Sequence, residues 1–320
     1  MRLVLYIFLV ATLAGFSQST DFEKGELYYK NAEWQRAKPY LLKALALNET
    51  NIKAQEYLGD IAAYAKKWDE ALTYYKPLVV QYPNKANYHF KYGGVLAYKA
   101  QASNRLKALT LVGDIKKHLH LAAQLDDSHI EARWALVEIY ISLPGIVGGS
   151  EAKALIYANE LLQLSPVDGY LALGYVAEYN NRADDAEQYY KKAVAVGGSP
   201  HTYTKLSKLY EKTDQPDKAI ANYEAFAAKH ERNHLNYLIG KVSAQYNLEL
   251  DKGLKCLQHY ITNYTEKDGV PPSWAYYRMA QIYRHKEDKR NAYNFINKAL
   301  TLKPDLKEAQ REKAAILKMN

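Results

Sequence analysis

Apolar residues recur along this chain with the spacing of helix faces, and small residues punctuate them in pairs twelve positions apart. Gly25 pairs with Ala37, Gly59 with Ala71, Gly174 with Ala186, Ser207 with Ala219 and Ala280 with Ala292. An apolar or aromatic residue sits just before the first small residue (Leu58, Tyr92, Leu173, Leu206, Met279), and a Tyr or Ala follows it three later (Tyr28, Ala62, Ala177, Tyr210, Tyr283). A further apolar or aromatic residue falls four after the second (Leu41, Tyr75, Tyr190, Tyr223, Ile296). These offsets put each set on one face of a helix. The chain therefore reads as pairs of antiparallel helices whose closest crossings need small side chains.

In this register, eight units begin near Gln18, Asn51, Ala86, Ile130, Val167, Pro200, Asn233 and Ser273, spanning 18–304. Pro83, Gly197-Gly198, Pro200 and Pro304 mark turns between units, while Asn31, Lys67 and Asn181 lie near the turns inside them. Residues 305–320 keep a helical pattern through Leu306, Ala309, Ala314 and Leu317, as expected of a capping helix with a polar outer face.

The pattern of Leu-Gly, Tyr, Ala, Tyr, Ala and Pro resembles the tetratricopeptide repeat family, whose unit is a 34-residue helix-turn-helix. It is clearest in Met279-Ala280, Tyr283, Ala292, Ile296, Ala299 and Pro304, and nearly as clear in Leu58-Gly59, Trp68, Ala71, Tyr75 and Pro83. The resemblance implies an all-α, tetratricopeptide-type α-solenoid that holds a peptide or partner protein on its concave side. Carried over unit by unit, it implies a partner-binding face with Glu26, Tyr29, Glu56, Asp60, Phe90, Tyr98, Trp134 and Glu138 in the first four units. In the last four the face includes Tyr175, Tyr179, Lys208, Lys241, Tyr277 and Arg284. Charges on this face are mostly acidic up to Glu178 and mostly basic from Lys208 onward. A groove of that polarity would favour an extended segment with charges in the opposite order.

Two units near 86–166 break the twelve-residue ruler. Gly93 is ten residues too far from its counterpart near Ile115, and Val137 is five too far from Ala154. Extra chain of this kind is not needed for stacking, so it is a place to look for function. The first addition, with Ser103 as a candidate cap followed by Leu106, Leu109 and Val112, reads as a lengthened second helix. The second contains Pro144, Gly145, Gly148, Gly149 and Ser150 before a helix opening at Glu151. Glycines there suit either an anion held on free amides or an apolar loop that touches a partner. The Gly-Lys-Ser/Thr ending of a phosphate loop is absent.

The N-terminus changes the compartment. Met1-Arg2 precedes a mostly apolar run, Leu3 to Phe16, and small residues follow at 15 and 17. Its fourteen residues fall short of the ~20 that cross a bilayer. Residues 1–17 therefore read as a secretory signal peptide, cleaved after Ser17 or, as second choice, Ser19. The expected location is exported, periplasmic or extracellular, in a bacterium, with peripheral envelope association open. Cys256 is the only cysteine, so no intramolecular disulfide exists and packing alone holds the chain together. The net charge of +8 is spread over short pairs such as Lys66-Lys67 and Lys116-Lys117, which argues against a nucleic-acid partner.

One catalytic motif occurs. His230-Glu231-Arg232-Asn233-His234 matches the H-E-x-x-H signature of zinc peptidases, which works only when both histidines share one continuous helix. The repeat register puts these residues across the junction between the sixth and seventh units. The expectation is a non-catalytic interaction or scaffolding module without metal or cofactor. A zinc-dependent hydrolase using 230–234 and a self-associating envelope protein are the alternatives.

Overall fold

The computed structural model describes residues 20–319, so the expected signal segment lies outside the described residues. Among those residues the chain holds seventeen α-helices and two short 3-10 turns. The first three helix pairs are α1 (Asp21–Lys30) with α2 (Trp34–Leu47), α3 (Ile52–Tyr64) with α4 (Trp68–Gln81), and α5 (Ala86–Gln101) with α6 (Arg105–Leu125); α7 (Ile130–Ser142) and α8 (Glu151–Leu164) come next along the chain. The next two pairs are α9 (Pro166–Tyr179) with α10 (Ala183–Gly197) and α11 (Pro200–Lys212) with α12 (Pro216–Ala227). Then follow α13 (His234–Tyr246) with α14 (Leu250–Thr262), α15 (Pro272–His285) with α16 (Lys289–Leu302), and a closing α17 (Lys307–Leu317). The chain divides into two compact units, Met1–Tyr157 and Ala158–Asn320.

Local chemistry sets the helix starts. Thr20 and Glu23 form a reciprocal capping box at α1, and Asn51, Ser165 and Ser199 each accept a backbone N–H at the start of a helix. Pro166, Pro200, Pro216 and Pro272 occupy the first helical position, where the missing N–H costs nothing. Inside the pairs, one residue before the second helix takes a left-handed conformation: Ala32, Lys66, Asn181, Asp214 and Glu287 all have φ between 55° and 59°. Only two of the five are Asn or Asp, so the turn is imposed by the packing of the two helices more than by residue preference.

The small residues mark close crossings. A methyl group at Gly59 would lie 2.6 Å from the Tyr75 ring, and one at Gly174 would lie 2.4 Å from the Tyr190 ring. In the first unit, Ala37, Leu41, Ala44, Ala54, Leu58 and Ile61 form one buried cluster and Ala62, Ala71, Tyr75, Leu78 and Val95 the next. In the second unit, Tyr277, Ala280, Ala292, Ile296 and Ala299 continue into Leu306, Ala309 and Ile316 of α17.

The long third pair keeps its crossing. Gly93 packs against His118 and Leu119, and the surplus is taken up by sixteen-residue α5 and twenty-one-residue α6. The cap of α6 is Asn104, whose side chain accepts from the Lys107 N–H, whereas Ser103 donates its hydroxyl to the Lys99 carbonyl. The expected face of α17 also shifts. Leu306, Ala309, Glu312 and Ile316 are buried, while Ala314 and Leu317 are exposed. Glu312 lies on that buried face because Arg284 meets its carboxylate.

Candidate functional site

The first unit carries a hollow of about 400 Å³ between the outward faces of α3 and α5. Asp60 and Tyr64, one turn apart on α3, form one wall, and Phe90, Gly94 and Tyr98, at the same spacing on α5, form the other. Trp68 closes the end at the turn, where its ring stacks on Tyr98 at 5.3 Å. Trp34 stacks on Tyr64 at 4.0 Å in the same way one repeat earlier. Tyr64 is 62% and Tyr98 58% exposed. A Cβ added at Gly94 would meet nothing within 4 Å, so this glycine leaves the hollow open.

The polar end of the hollow is internally satisfied. Asp60 accepts hydrogen bonds from the Tyr29 hydroxyl at 2.7 Å, from Lys91 Nζ at 2.8 Å and from the Tyr75 hydroxyl. Lys91 also donates to Glu56 at 2.7 Å, and Asn87 donates to the same carboxylate oxygen. Burial alone would raise the Glu56 pKa, but Lys91 and Lys53 hold it below its ordinary value. Burial and the nearby Asp60 carboxylate push the Tyr29 and Tyr75 hydroxyls well above the usual phenol range, so both remain donors. On α1, Glu26 accepts from the Tyr57 hydroxyl at 2.8 Å, and burial with this partner pushes Tyr57 up to about 12.

Of the sequence-predicted face residues, Asp60, Phe90 and Tyr98 line the hollow, and Tyr29 and Glu56 support its acidic end. Trp134 is half-buried and Glu138 exposed on α7, away from the hollow's lining. In the second unit Tyr175 and Tyr179 lie close together on α9, with Tyr179 well exposed. Lys241 pairs with Glu211 at 2.6 Å, Lys212 with Glu178 at 3.0 Å and Arg284 with Glu312. Lys208 is exposed and Tyr277 buried. The charge contrast read along the sequence is therefore matched locally within each unit, through Lys91 in the first and through Glu178, Glu211 and Glu312 in the second. Sequence reasoning missed Trp68, Lys91 and Gly94 as site residues. The signals were present: Trp68 follows Trp34, and Tyr98 follows Tyr64, by one 34-residue period, and Gly94 doubles the crossing glycine Gly93.

The other candidates resolve differently. In the 143–150 loop, the Val147 and Gly149 amides donate to the Pro144 carbonyl, Gly148 to Gly145, and Ser150 to Tyr140. The amides of 147–150 are therefore all spent on carbonyls of the loop and of Tyr140. Gly148 has φ +84°, and Gly149 has no room for a Cβ beside the Leu143 carbonyl, so both glycines serve the turn itself. Ser150 accepts from the Lys153 N–H and caps α8. His230 follows the end of α12 and donates to or accepts from nothing catalytic: its Nε2 meets the Gly198 carbonyl at 2.8 Å. His234 opens α13, so a non-helical link separates the two histidines and the single-helix geometry of a zinc peptidase is not formed. A second hollow of about 430 Å³, among α10, α11 and α12, is lined by Tyr203, Tyr210, Asn222 and the stems of Lys191 and Lys218, and includes none of the predicted face.

A family model of the tetratricopeptide repeat matches residues 167–196, 200–226 and 275–306, and a second such model matches 22–97, together just over half of the chain. The chain belongs to the tetratricopeptide repeat family. No curated protein matches the sequence. Among solved structures, a tetratricopeptide repeat protein from Parabacteroides merdae is similar over 82% of this chain and 97% of its own, at 17% identity and a TM-score of 0.53. That level of identity speaks for the shared fold alone. YrrB, described as a TPR protein with an unusual peptide-binding site, is similar over 61% of this chain and 97% of its own, at 20% identity and a TM-score of 0.43. Tetratricopeptide arrays are interaction and scaffolding architectures, stacked so that each repeat contributes surface. Among the described residues, no helix is long and apolar enough to cross a membrane.

Proposed function

We propose that this tetratricopeptide protein is a non-catalytic docking module that holds an extended peptide or partner-protein segment on the first-helix face of its N-terminal unit. The observation that carries the reading is the open hollow between α3 and α5, walled by Tyr64, Trp68, Phe90 and Tyr98. Concave, aromatic-lined sites with few polar groups are where partners find most of their binding energy. Screening immobilised peptides against the protein and its Gly94→Leu variant tests it. At least one peptide should bind the parent and lose tenfold or more in the variant. If every binder tolerates Gly94→Leu, the site is elsewhere and the reading fails.

The same reading places the protein outside the cytoplasm of a bacterium, in the periplasm or beyond, with contact to the envelope surface peripheral. It rests on Met1-Arg2, the apolar run Leu3 to Phe16 and the small residues Gly15 and Ser17. N-terminal sequencing of protein from the envelope fraction checks it: a start at Gln18 or Thr20 is expected. Recovery of chains beginning at Met1 in the cytosol overturns it.

A further inference from the structure

We propose that the second hollow, among α10, α11 and α12, is an open aromatic slot that receives an aromatic side chain, flanked by carboxylates, from a partner protein. This site is separate from the hollow between α3 and α5 and does not depend on the docking function proposed there.

Comparison of the repeats with one another shows what the slot is shaped for. Three positions after the second residue of each small pair, six of the eight repeats carry a ring: Tyr40, Tyr74, His118, Tyr157, Tyr189 and Phe295. In the sixth repeat that position is Asn222. Where a ring is present it packs on the first helix of its own repeat. Tyr40 stacks on Tyr28 with ring centroids 5.6 Å apart, Tyr157 on Tyr140 at 6.0 Å, and Phe295 on Tyr283 at 5.3 Å. Phe295 also stacks on Tyr276 at 6.2 Å. The residues of the sixth repeat in register with Tyr276 and Tyr283 are Tyr203 and Tyr210, and both line the hollow of about 430 Å³. The two flanking rings are therefore in place, and the ring that belongs between them is replaced by an amide. Cys256, the other exception, faces no such pair, because the corresponding positions of α13 are Asn236 and Ser243.

The cover over the ring is replaced as well. Three residues further along the second helix, Lys43, Lys192 and Lys298 lie over Tyr40, Tyr189 and Phe295, with Nζ 5.9, 5.6 and 4.9 Å from the ring centroids. The corresponding residue of α12 is Ala225, exposed and on the lining of the hollow. Asn222 is held to one side: its Nδ2 donates to the Tyr203 carbonyl at 2.9 Å and to the Ser207 hydroxyl at 2.7 Å. Both amide hydrogens are thus spent, and Oδ1 is left to accept an N–H from an incoming segment.

Two features select the occupant. Stacking against Tyr203 and Tyr210 favours a ring over an aliphatic side chain beyond the area buried, and a ring brings only two side-chain torsions to be frozen. At the rim, Lys191 and Lys218, each more than half exposed, share the single carboxylate of Glu187. Lys229 lies 5.9 Å over the Tyr203 ring, and Glu224, beside Ala225, is held by Lys252 of α14. The surplus positive charge complements carboxylates next to the incoming ring.

Calorimetric titration of the full chain with the hexapeptide Ser-Glu-Phe-Glu-Ser-Gly, with its Leu-for-Phe form and with Ser-Lys-Phe-Lys-Ser-Gly tests the proposal. The first should bind at least tenfold more tightly than either of the others. Asn222→Phe, which restores the repeat's own ring, should weaken that binding tenfold or more while raising the midpoint of thermal unfolding. Ala225→Leu, at an exposed helix position, should weaken it to a similar degree with unchanged circular dichroism. Gly94→Leu, in the other hollow, should leave it unchanged. If neither phenylalanine peptide binds, if the Leu form binds as tightly as the Phe form, or if Asn222→Phe and Ala225→Leu bind like the parent, the aromatic slot is overturned. Equal binding of the lysine-flanked peptide overturns the carboxylate preference. A dimer of the unliganded chain in sedimentation that Asn222→Phe dissociates would give the slot to a second copy and overturn the assignment to a partner protein.

Discussion

Two kinds of glycine sit on these helices, and a single methyl group separates them. At Gly174 the methyl would be driven into the fully buried Tyr190 ring, so Gly174→Ala should lower unfolding free energy by about 1–3 kcal/mol in urea titration despite its better helix propensity. At Gly94 the same change meets open space, and Gly94→Ala should raise stability by about 0.5–1 kcal/mol. Opposite signs from the same substitution would separate a packing glycine from one that keeps a site open. A second residue-scale device is the His89 and His118 pair, whose Nδ1 atoms are 2.8 Å apart. His89 Nε2 faces the Pro83 carbonyl, which can only accept, so His89 Nδ1 accepts in turn from the His118 Nδ1–H. Burial first, then His89 and Lys117, pull the His118 pKa from 6.5 down to about 4, with Asp114 opposing them. The unfolded chain therefore takes up the proton first. The contribution is complete above pH 6.5 and is lost as pH falls towards 4. The expected loss is about 1–2 kcal/mol after allowance for partial exposure. Thermal melts between those pH values should show the slope, and His118→Gln should flatten it.

Among elements, α17 is the closure of the second unit. A chain ending at Pro304 loses the burial of Leu306 and Ile316, about 3–6 kcal/mol, and should unfold at markedly lower urea concentration. Helix type and order were legible because the small pairs and their flanking apolar residues repeat with one spacing, so eight noisy copies report on one pattern. Where copies differ, legibility fell. The sequence reading took Ser103 as the cap of α6 and passed over Asn104, because both side chains can accept an amide and only geometry chooses between them. On α17, Ala314 and Leu317 fit a helical stripe, but a partnered Glu312 held a position that composition assigns to the outside. The face residues were partly readable because Asp60, Phe90 and Tyr98 occupy repeating positions of the first helices. Lys91 was not, because its importance lies in partners about thirty residues away.

Across the whole molecule, a net charge of +8 suggests salt-sensitive binding, yet the pairing of charges argues otherwise. Lys91 lies between Glu56 and Asp60, and Lys241 against Glu211, so the face keeps little free charge where it would meet a ligand. Affinity for an uncharged peptide in the aromatic hollow should change less than about twofold between 0.05 and 0.5 M salt, a range over which exposed charge attraction largely disappears. A strong salt dependence would instead assign the binding to exposed lysines such as Lys208. The two tryptophan–tyrosine stacks, finally, give the array a part that can be counted separately from the hollow. Duplicating residues 52–85 would add a third stack but not a second hollow, because the inserted wall would carry Asp60 where the hollow has Gly94.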